Sequence, residues 1–343
     1  MNDTAFDTNG HSKRSQWSGE NAVVTGGGGF IGSHLVEQLV REGANVTAFI
    51  KYSSRGDLGN LNSLSPDVRS AIRVVAGDLR DHRAVADVVR GADTVFHLGA
   101  LVGIPYSYVN PVEVAEVNTF GTLNVLNAAR DANVKRLVHT STSEVYGTAL
   151  YVPIDEAHPL QGQSPYSASK IGADKLAESY QKSFGLPVTT VRPFNTYGPR
   201  QSSRGVIPTV ISQALAGDTI RIGSLEPTRD FTFVTDTVAG FLSTAAEPAC
   251  IGEVVNLGTG SEVSVGTIVN QVRALVGTHL EVVQEPERFR PAKSEVMRLV
   301  SDNRKARRLA GWSPQISLAE GLARTIEWMS QHVDRERAHA YAI

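Results

Sequence analysis

The sequence predicts an α/β protein in which a doubly wound parallel sheet of about seven strands is followed by a smaller, mixed C-terminal domain. Three observations lead there. A glycine-rich turn joins a short apolar run to a helix-periodic one near the start of the chain. Apolar runs of strand length then alternate with longer helical stretches up to Asn195. From Thr196 onward Gly and Pro become frequent and the alternation breaks down.

The chain has 343 residues, enough for one large or two modest domains, and its 41% hydrophobic and 20% charged residues are ordinary for a globular protein with a substantial core. A formal net charge of -2 with scattered Lys and Arg forms no basic stripe, which argues against a nucleic-acid partner. The single cysteine, Cys250, excludes an internal disulfide and a cysteine-rich metal site; no metal is expected, and a reducing, cytoplasmic compartment fits. Met1 to Ser18 are polar, lack the apolar stretch of a secretory signal and read as a flexible tail. No apolar run approaches the length of a membrane span.

In chain order, Asn21 to Thr25 read as a strand, Gly26-Gly-Gly-Gly29-Phe30-Ile31-Gly32 as a turn, and the periodic Leu35, Val36 and Leu39 as the helix that follows. Glycines at positions 26, 29 and 32 allow a tight turn, close backbone approach to a pyrophosphate and close helix-to-strand packing, with a helix N-terminus facing the anion. Between a strand and a helix, this pattern predicts dinucleotide binding. The next strand, Asn45 to Ile50, ends where a carboxylate for the ribose 2′-hydroxyl of NAD is normally found. Here Lys51, Ser53 and Arg55 stand instead, with no carboxylate until Asp57, so NADP is favoured over NAD.

Strands follow at Ile72 to Val75, Thr94 to Leu98, Arg136 to Thr140 and Val188 to Arg192, with helices near Asp81 to Arg90, Pro111 to Asn133 and Pro165 to Phe184. A seventh strand returns at Glu253 to Leu257. The expected domains are 19–195 with about 233–262 for the dinucleotide, and about 196–232 with 263–335 for the substrate. Ligands bind beyond the carboxyl ends of such strands, a rule that gathers Asp78-Leu79, Gly99-Ala100, Thr140 to Glu144 and Pro193-Phe194-Asn195 into one crevice.

Tyr166 and Lys170 lie four residues apart behind the loop marker Ser164-Pro165, on one face of a helix. A free tyrosine titrates near pH ~10, so a tyrosine acting as a base near neutrality needs a neighbouring cation, which Lys170 is placed to supply. Alone, the pair is also compatible with two ordinary helix-surface residues. Arg192, Arg200, Arg204, Arg229, Arg290 and Arg298 supply local positive charge, and Arg229, between a turn and an aromatic-rich strand, suits bidentate phosphate binding.

In combination these residues resemble the extended short-chain dehydrogenase/reductases that act on nucleotide sugars. The resemblance runs from about Glu20 to about Trp328 and rests on Gly26/Gly29/Gly32, Asp78-Leu79, His97-Leu98-Gly-Ala100, Asn118, Ser141 to Gly147, Tyr166/Lys170, Arg192-Pro193-Phe-Asn195-x-Tyr-Gly-Pro199 and Arg229-Asp230-Phe231. Within the family, the stretches at Ala100 to Tyr108, Thr142 to Gly147 and Tyr151 to Lys170 look most like NDP-N-acetylhexosamine 4,6-dehydratases of the legionaminic-acid type, and are also similar to GDP-mannose 4,6-dehydratases. The resemblance implies a tightly bound cofactor, regenerated each turnover, held by the glycine loop with Phe30 and Ile31, by Asp78, Leu79, Leu98, Ala100, Asn118, Thr140 and Pro193, and by Tyr166 and Lys170. It implies substrate contacts from Thr142, Asn195, Arg204, Arg229, Arg290 and Glu295, and a homodimer through a four-helix bundle.

The implied reaction is a 4,6-dehydration. Tyr166 removes the 4-hydroxyl proton as hydride leaves C4, and Glu144 takes the C5 proton as water leaves from C6. Hydride then returns to C6, so the cofactor ends unchanged. Thr142 hydrogen-bonds near O4. Where dTDP-glucose dehydratases carry Asp between Thr and Glu, this chain has Ser143, leaving the C6 proton to Glu144 acting twice or to a water held by Ser143. The alternatives are a nucleotide-sugar 4-epimerase, which needs no base at C5; a UDP-glucuronate decarboxylase, which also shows the Thr-Ser-Glu-Val-Tyr-Gly stretch of Thr142 to Gly147 but typically has Ser where Asp230 stands; and a non-catalytic NADP-binding sensor.

Overall fold

A computed structural model of the chain describes residues 15–277, 280–289, 291 and 293–332. Its first half runs Asn21–Thr25 (β1), Phe30–Arg41 (α1), Asn45–Lys51 (β2), Pro66–Ser70 (α2), Ile72–Gly77 (β3), His82–Val89 (α3) and Thr94–His97 (β4). Next come Ile104–Val109 (α4), Pro111–Ala115 (α5), Gly121–Asp131 (α6), Arg136–Thr140 (β5), Pro165–Phe184 (α7) and Val188–Pro193 (β6). The rest comprises Asn195–Tyr197 (β7), Val206–Ala216 (α8), Thr219–Ile222 (β8), Thr228–Arg229 (β9), Phe231–Phe233 (β10), Val234–Ala246 (α9), Val254–Leu257 (β11), Val263–Ser264 (β12), Val265–Val276 (α10), Glu281–Gln284 (β13), Arg304–Ala310 (α11) and Leu318–His332 (α12).

Seven strands form one sheet in the order β3-β2-β1-β4-β5-β6-β11, with every neighbouring pair parallel. This is the Rossmann-type arrangement expected, including the late return of β11. Strand order reverses between β1 and β4, which opens a crevice beyond their carboxyl ends. β4 and β6 are buried throughout, as strands covered on both faces must be. Leu35, Val36 and Leu39 of α1 pack with Val238 and Phe241 of α9 in one apolar cluster, and Val85, Val88, Leu126, Ala177 and Tyr180 of α3, α6 and α7 in another. A third cluster, built on Ile207, Val210 and Ile211 of α8, Ile268 and Val272 of α10 and Leu322 of α12, lies in the segments that the sequence reading sets aside for the substrate.

Two expectations need correction. Trp17, placed in the tail, is only 1% exposed; its indole lies 5.7 Å from the Phe96 ring and under the Arg136 guanidinium, because its large apolar surface outweighs its polar neighbours. The remainder of that tail, residues 1–14, lies outside the described residues. The helix expected over Pro111 to Asn133 is interrupted by a π-turn at Glu116–Phe120, which apolar periodicity cannot reveal. Among the described residues, no helix is long and apolar enough to cross a membrane.

Candidate active site

The glycine turn sits at the switch point. Gly26 has φ +71°, and a Cβ there would come within 2.8 Å of the Gly99 nitrogen at the end of β4. A Cβ on Gly32 would lie 2.2 Å from the Gly26 oxygen. The turn therefore presses α1 against β1 and β4 as only bare backbone can. Gly29 ends it as an N-cap without a side-chain hydrogen bond, leaving an open helix N-terminus with Phe30 and Ile31 in its first turn. Leu79 packs where a Cβ on Gly99 or Gly121 would stand, which brings the end of β3 to Leu98 and Ala100. These residues fit the pyrophosphate and adenosine portions of a dinucleotide.

Other expected cofactor contacts have partners within the protein. Asn118 is completely buried; its amide accepts from the Leu101 nitrogen at 2.7 Å and donates to the Leu101 oxygen at 2.9 Å and Ser169 Oγ at 3.0 Å. It thus fixes the loop after β4 rather than offering a free group. Lys51 is exposed at the end of β2, 3.9 Å from Glu113, and Ser53 Oγ accepts from the nitrogen of the exposed Arg55. Asp78 is ion-paired to Arg80 at 2.7 Å.

The helix carrying Tyr166 and Lys170 begins with a reciprocal capping box between Ser164 and Ser167, with Pro165 in its first turn. Tyr166 and Lys170 are 6% and 3% exposed. Lys170 Nζ donates to the Thr140 carbonyl at 2.6 Å. Burial draws its pKa down to about 8, against the raising influence of Asp174. Tyr166 lies among Thr142, Glu144 and Asp174. Burial raises its phenol above the ordinary range, the Thr142 hydroxyl lowers it by hydrogen bonding, and the Glu144 and Asp174 charges raise it further. The sequence reading expects Lys170 to favour the phenolate; the Thr142 hydroxyl is a further group that does so. Thr142 also N-caps the 3-10 turn Ser143–Tyr146, accepting from the Glu144 nitrogen at 3.2 Å. Within that turn Ser143 is buried, at 3% exposed, and Glu144 half-buried.

Asn195 lies on β7 just past Pro193, and its buried Oδ1 has no partner, an unmet acceptor that a ligand donor would satisfy. Arg229 is buried, donating to the Thr228 oxygen at 3.0 Å and to Glu295 at 3.3 Å, so two expected substrate contacts answer each other. Arg204 is exposed, and Arg290 lies outside the described residues. Three of the six arginines leave the crevice account altogether. Arg192 is buried against Asp174 at 2.9 Å, Arg200 pairs with Glu37 at 2.6 Å, and Arg298 pairs with Glu262. Asp230 accepts from Thr259, Gly260 and Ser301 and is fully buried, a joint of the fold. The sequence reading missed Asp174, whose only sequence signal is an acidic residue one helical turn past Lys170 on the buried face.

The family model for GDP-mannose 4,6 dehydratase matches residues 23–325. The chain belongs to this family of nucleotide-sugar dehydratases, epimerases and decarboxylases. Among family members, a UDP-glucose 4-epimerase of Mycolicibacterium smegmatis is 36% identical over 89% of this chain and 97% of its own length. A human dTDP-D-glucose 4,6-dehydratase is 32% identical over 91% of both chains. The crystal structure of DesIV, a dTDP-glucose 4,6-dehydratase from Streptomyces venezuelae with NAD and TYD bound, superposes with a TM-score of 0.83 at 32% identity, covering 94% of this chain and 100% of DesIV.

Proposed function

We propose that the chain is an NAD(P)-dependent nucleotide-sugar 4,6-dehydratase, acting on an NDP-hexose or NDP-N-acetylhexosamine to give a 4-keto-6-deoxy sugar. The observation that carries this reading is Glu144, a carboxylate in the turn after β5 whose charge acts on Tyr166. C4 oxidation alone needs Tyr166; only elimination across C5 and C6 needs a second base beside it.

A dinucleotide held at the glycine turn would supply the hydride chemistry, taking hydride from C4 and giving it back at C6 as a solvent proton is added at C5. Tyr166 takes the O4 proton, aided by Thr142. Glu144 removes the C5 proton once the 4-keto group has acidified it. Ser143 is buried while Glu144 is half-buried, which favours Glu144 also protonating the departing C6 hydroxyl. Asn195, Arg229 and Glu295 stand on the substrate side, with Arg204 at its exposed rim. The 4-epimerase remains the second reading, favoured by the 36%-identical relative. Asp230 weighs little against a decarboxylase, because its bonds are all internal.

The NADP preference rests on Lys51, Ser53 and Arg55; Glu113 facing Lys51 opposes it. Titration with both dinucleotides decides between them. Val109, Val112 and Phe120, in α4, α5 and the π-turn, are exposed apolar side chains, which supports a homodimer through paired helices that light scattering tests by mass.

The test of the reaction is incubation with UDP-, GDP- and dTDP-hexoses in deuterated water. Loss of one water with deuterium at C5 is expected. An isomer of unchanged mass without C5 deuterium would establish the epimerase instead.

A further inference from the structure

Tyr166, Lys170 and Asp174 follow one another at four-residue intervals along α7, and all three are buried. Two of them grip three consecutive residues of the neighbouring strand and its end. Lys170 holds the Thr140 carbonyl, and the Asp174 carboxylate engages His139 on one side of it and Ser141 on the other, at 3.0 Å and 2.8 Å. Ser141 leads directly into Thr142 and the turn that carries Glu144. The far end of that turn is tied to the same carboxylate through one intermediary. Arg192 donates to Asp174 through Nε and a terminal nitrogen, at 3.2 Å and 2.9 Å, and its other terminal nitrogen donates to the Tyr146 hydroxyl at 2.9 Å. Tyr146 in turn donates to Asn256 on β11 at 2.8 Å, and the Arg192 guanidinium lies over its ring.

We propose that Asp174 is a positioning residue for the reaction: by fastening both ends of the 141–146 turn to α7, its carboxylate sets Thr142 and Glu144 against the Tyr166/Lys170 pair. This inference rests on the reading of Tyr166 and Lys170 as the machinery of C4 oxidation. A single buried carboxylate with four donors around it holds such a junction because each donor left unpaired would be penalised. Its charge has a second effect. The groups around it are Tyr166 and Lys170 on α7, His139 on β5 and Arg192 on β6, with His97 of β4 close to Lys170 and Glu144 close to Tyr166. Among them Asp174 opposes ionisation of Tyr166 and favours the Lys170 ammonium. Removing its charge lowers the pKa of both groups, so both limbs of a pH–rate profile move to lower pH.

The test is Asp174→Asn, which keeps the shape and removes the charge, assayed by single-turnover reduction of the bound nicotinamide and by kcat and KM against pH. The expected result is a kcat loss of about tenfold or more, in line with the cost of a small misplacement, with KM changed less than about threefold and both limbs displaced to lower pH. A folded variant with unchanged kcat and an unmoved profile overturns the proposal. Ser141→Ala guards against a misfolded Asp174→Asn: it removes one bond and no charge, so a kcat loss of about threefold with unmoved limbs supports the proposal, and wild-type kcat counts against it. Tyr166→Phe separates the two layers. If it retains wild-type oxidation, the underlying reading fails; if it is inactive while Asp174→Asn is normal, only the role of Asp174 fails.

Discussion

Thr142→Val removes the hydroxyl that favours ionisation of Tyr166, the proposed base. Of the groups acting on the phenol, burial, Glu144 and Asp174 all oppose its ionisation, and the Thr142 hydroxyl favours it. Valine keeps the branched shape and deletes that hydroxyl. A hydrogen bond to an ionised oxygen contributes about 1.5–3 kcal/mol, and one pKa unit corresponds to about 1.4 kcal/mol. The Tyr166 pKa therefore rises by about one to two units in the variant. A raised pKa means that the phenolate forms only at higher pH, so the acidic limb of kcat moves up by that amount and kcat at neutral pH falls roughly 10- to 100-fold. Loss of the N-cap bond to Glu144 costs about 1 kcal/mol of stability, which lowers the melting temperature without displacing the limb. The assay is the pH dependence of nicotinamide reduction in the wild type, Thr142→Val and Thr142→Ser. An unmoved limb in the valine variant, or a serine variant as impaired as valine, would refute the reasoning.

Glu144→Gln is expected to keep cofactor binding and lose C5 exchange with deuterated solvent by about 10²–10⁴-fold. Because it removes a charge that raises Tyr166, its acidic limb for C4 oxidation should shift to lower pH, opposite to Thr142→Val; undiminished exchange rules Glu144 out as the C5 base. Gly32→Ala places a methyl 2.2 Å from the Gly26 oxygen, so dinucleotide affinity should collapse and the melting temperature fall by an amount matching about 1–3 kcal/mol or more; binding within a few-fold of wild type sinks the account of the turn. His34, half-buried on α1 and bonded to the Pro199 oxygen, has its pKa drawn down to about 4 by burial and then by Arg200. The unfolded chain takes up this proton below pH ~6.5 while the folded chain does not until about 4, so stability falls as pH drops through that window. His34→Gln should flatten the fall by about 1–2 kcal/mol after solvent screening, read from urea midpoints at pH 7 and 4.5; an unchanged slope refutes it.

The sheet was legible because short runs built around Val, Leu and Ile alternate with helices of clear period; β5 was located to the residue and β6 and β11 to within one. Trp17 was misplaced because a lone aromatic among polar neighbours carries no periodic signal. The π-turn at Glu116–Phe120 was invisible for a related reason: one extra residue in a helical ladder leaves composition untouched while turning Asn118 toward Leu101 and Ser169. In the site, the glycines were readable because close backbone approach excludes every other residue. The arginines were not. Whether a guanidinium meets a substrate phosphate or a carboxylate of the protein depends on partners distant in sequence, as with Arg192 and Asp174, Arg200 and Glu37, or Arg298 and Glu262.

The same distinction bears on how one fold can serve dehydration and epimerisation. The residues proposed for C4 oxidation are fixed against the sheet: Lys170 is bonded to the Thr140 carbonyl, and the glycine turn lies against Gly99 at a distance only bare backbone allows. The proposed C5 base sits in the short turn Ser143–Tyr146, capped by Thr142 at one end and closed at the other by Gly147 with φ +63°. Neither end uses the Glu144 side chain for its own geometry: the cap bond comes from the Glu144 backbone, and the anchor at the far end is Tyr146. A carboxylate with no part in holding its own turn can be exchanged for another side chain without unfolding the site. On the proposed reading, the choice between eliminating water and returning hydride to C4 is made at a position that the fold leaves free to vary, the position of Glu144.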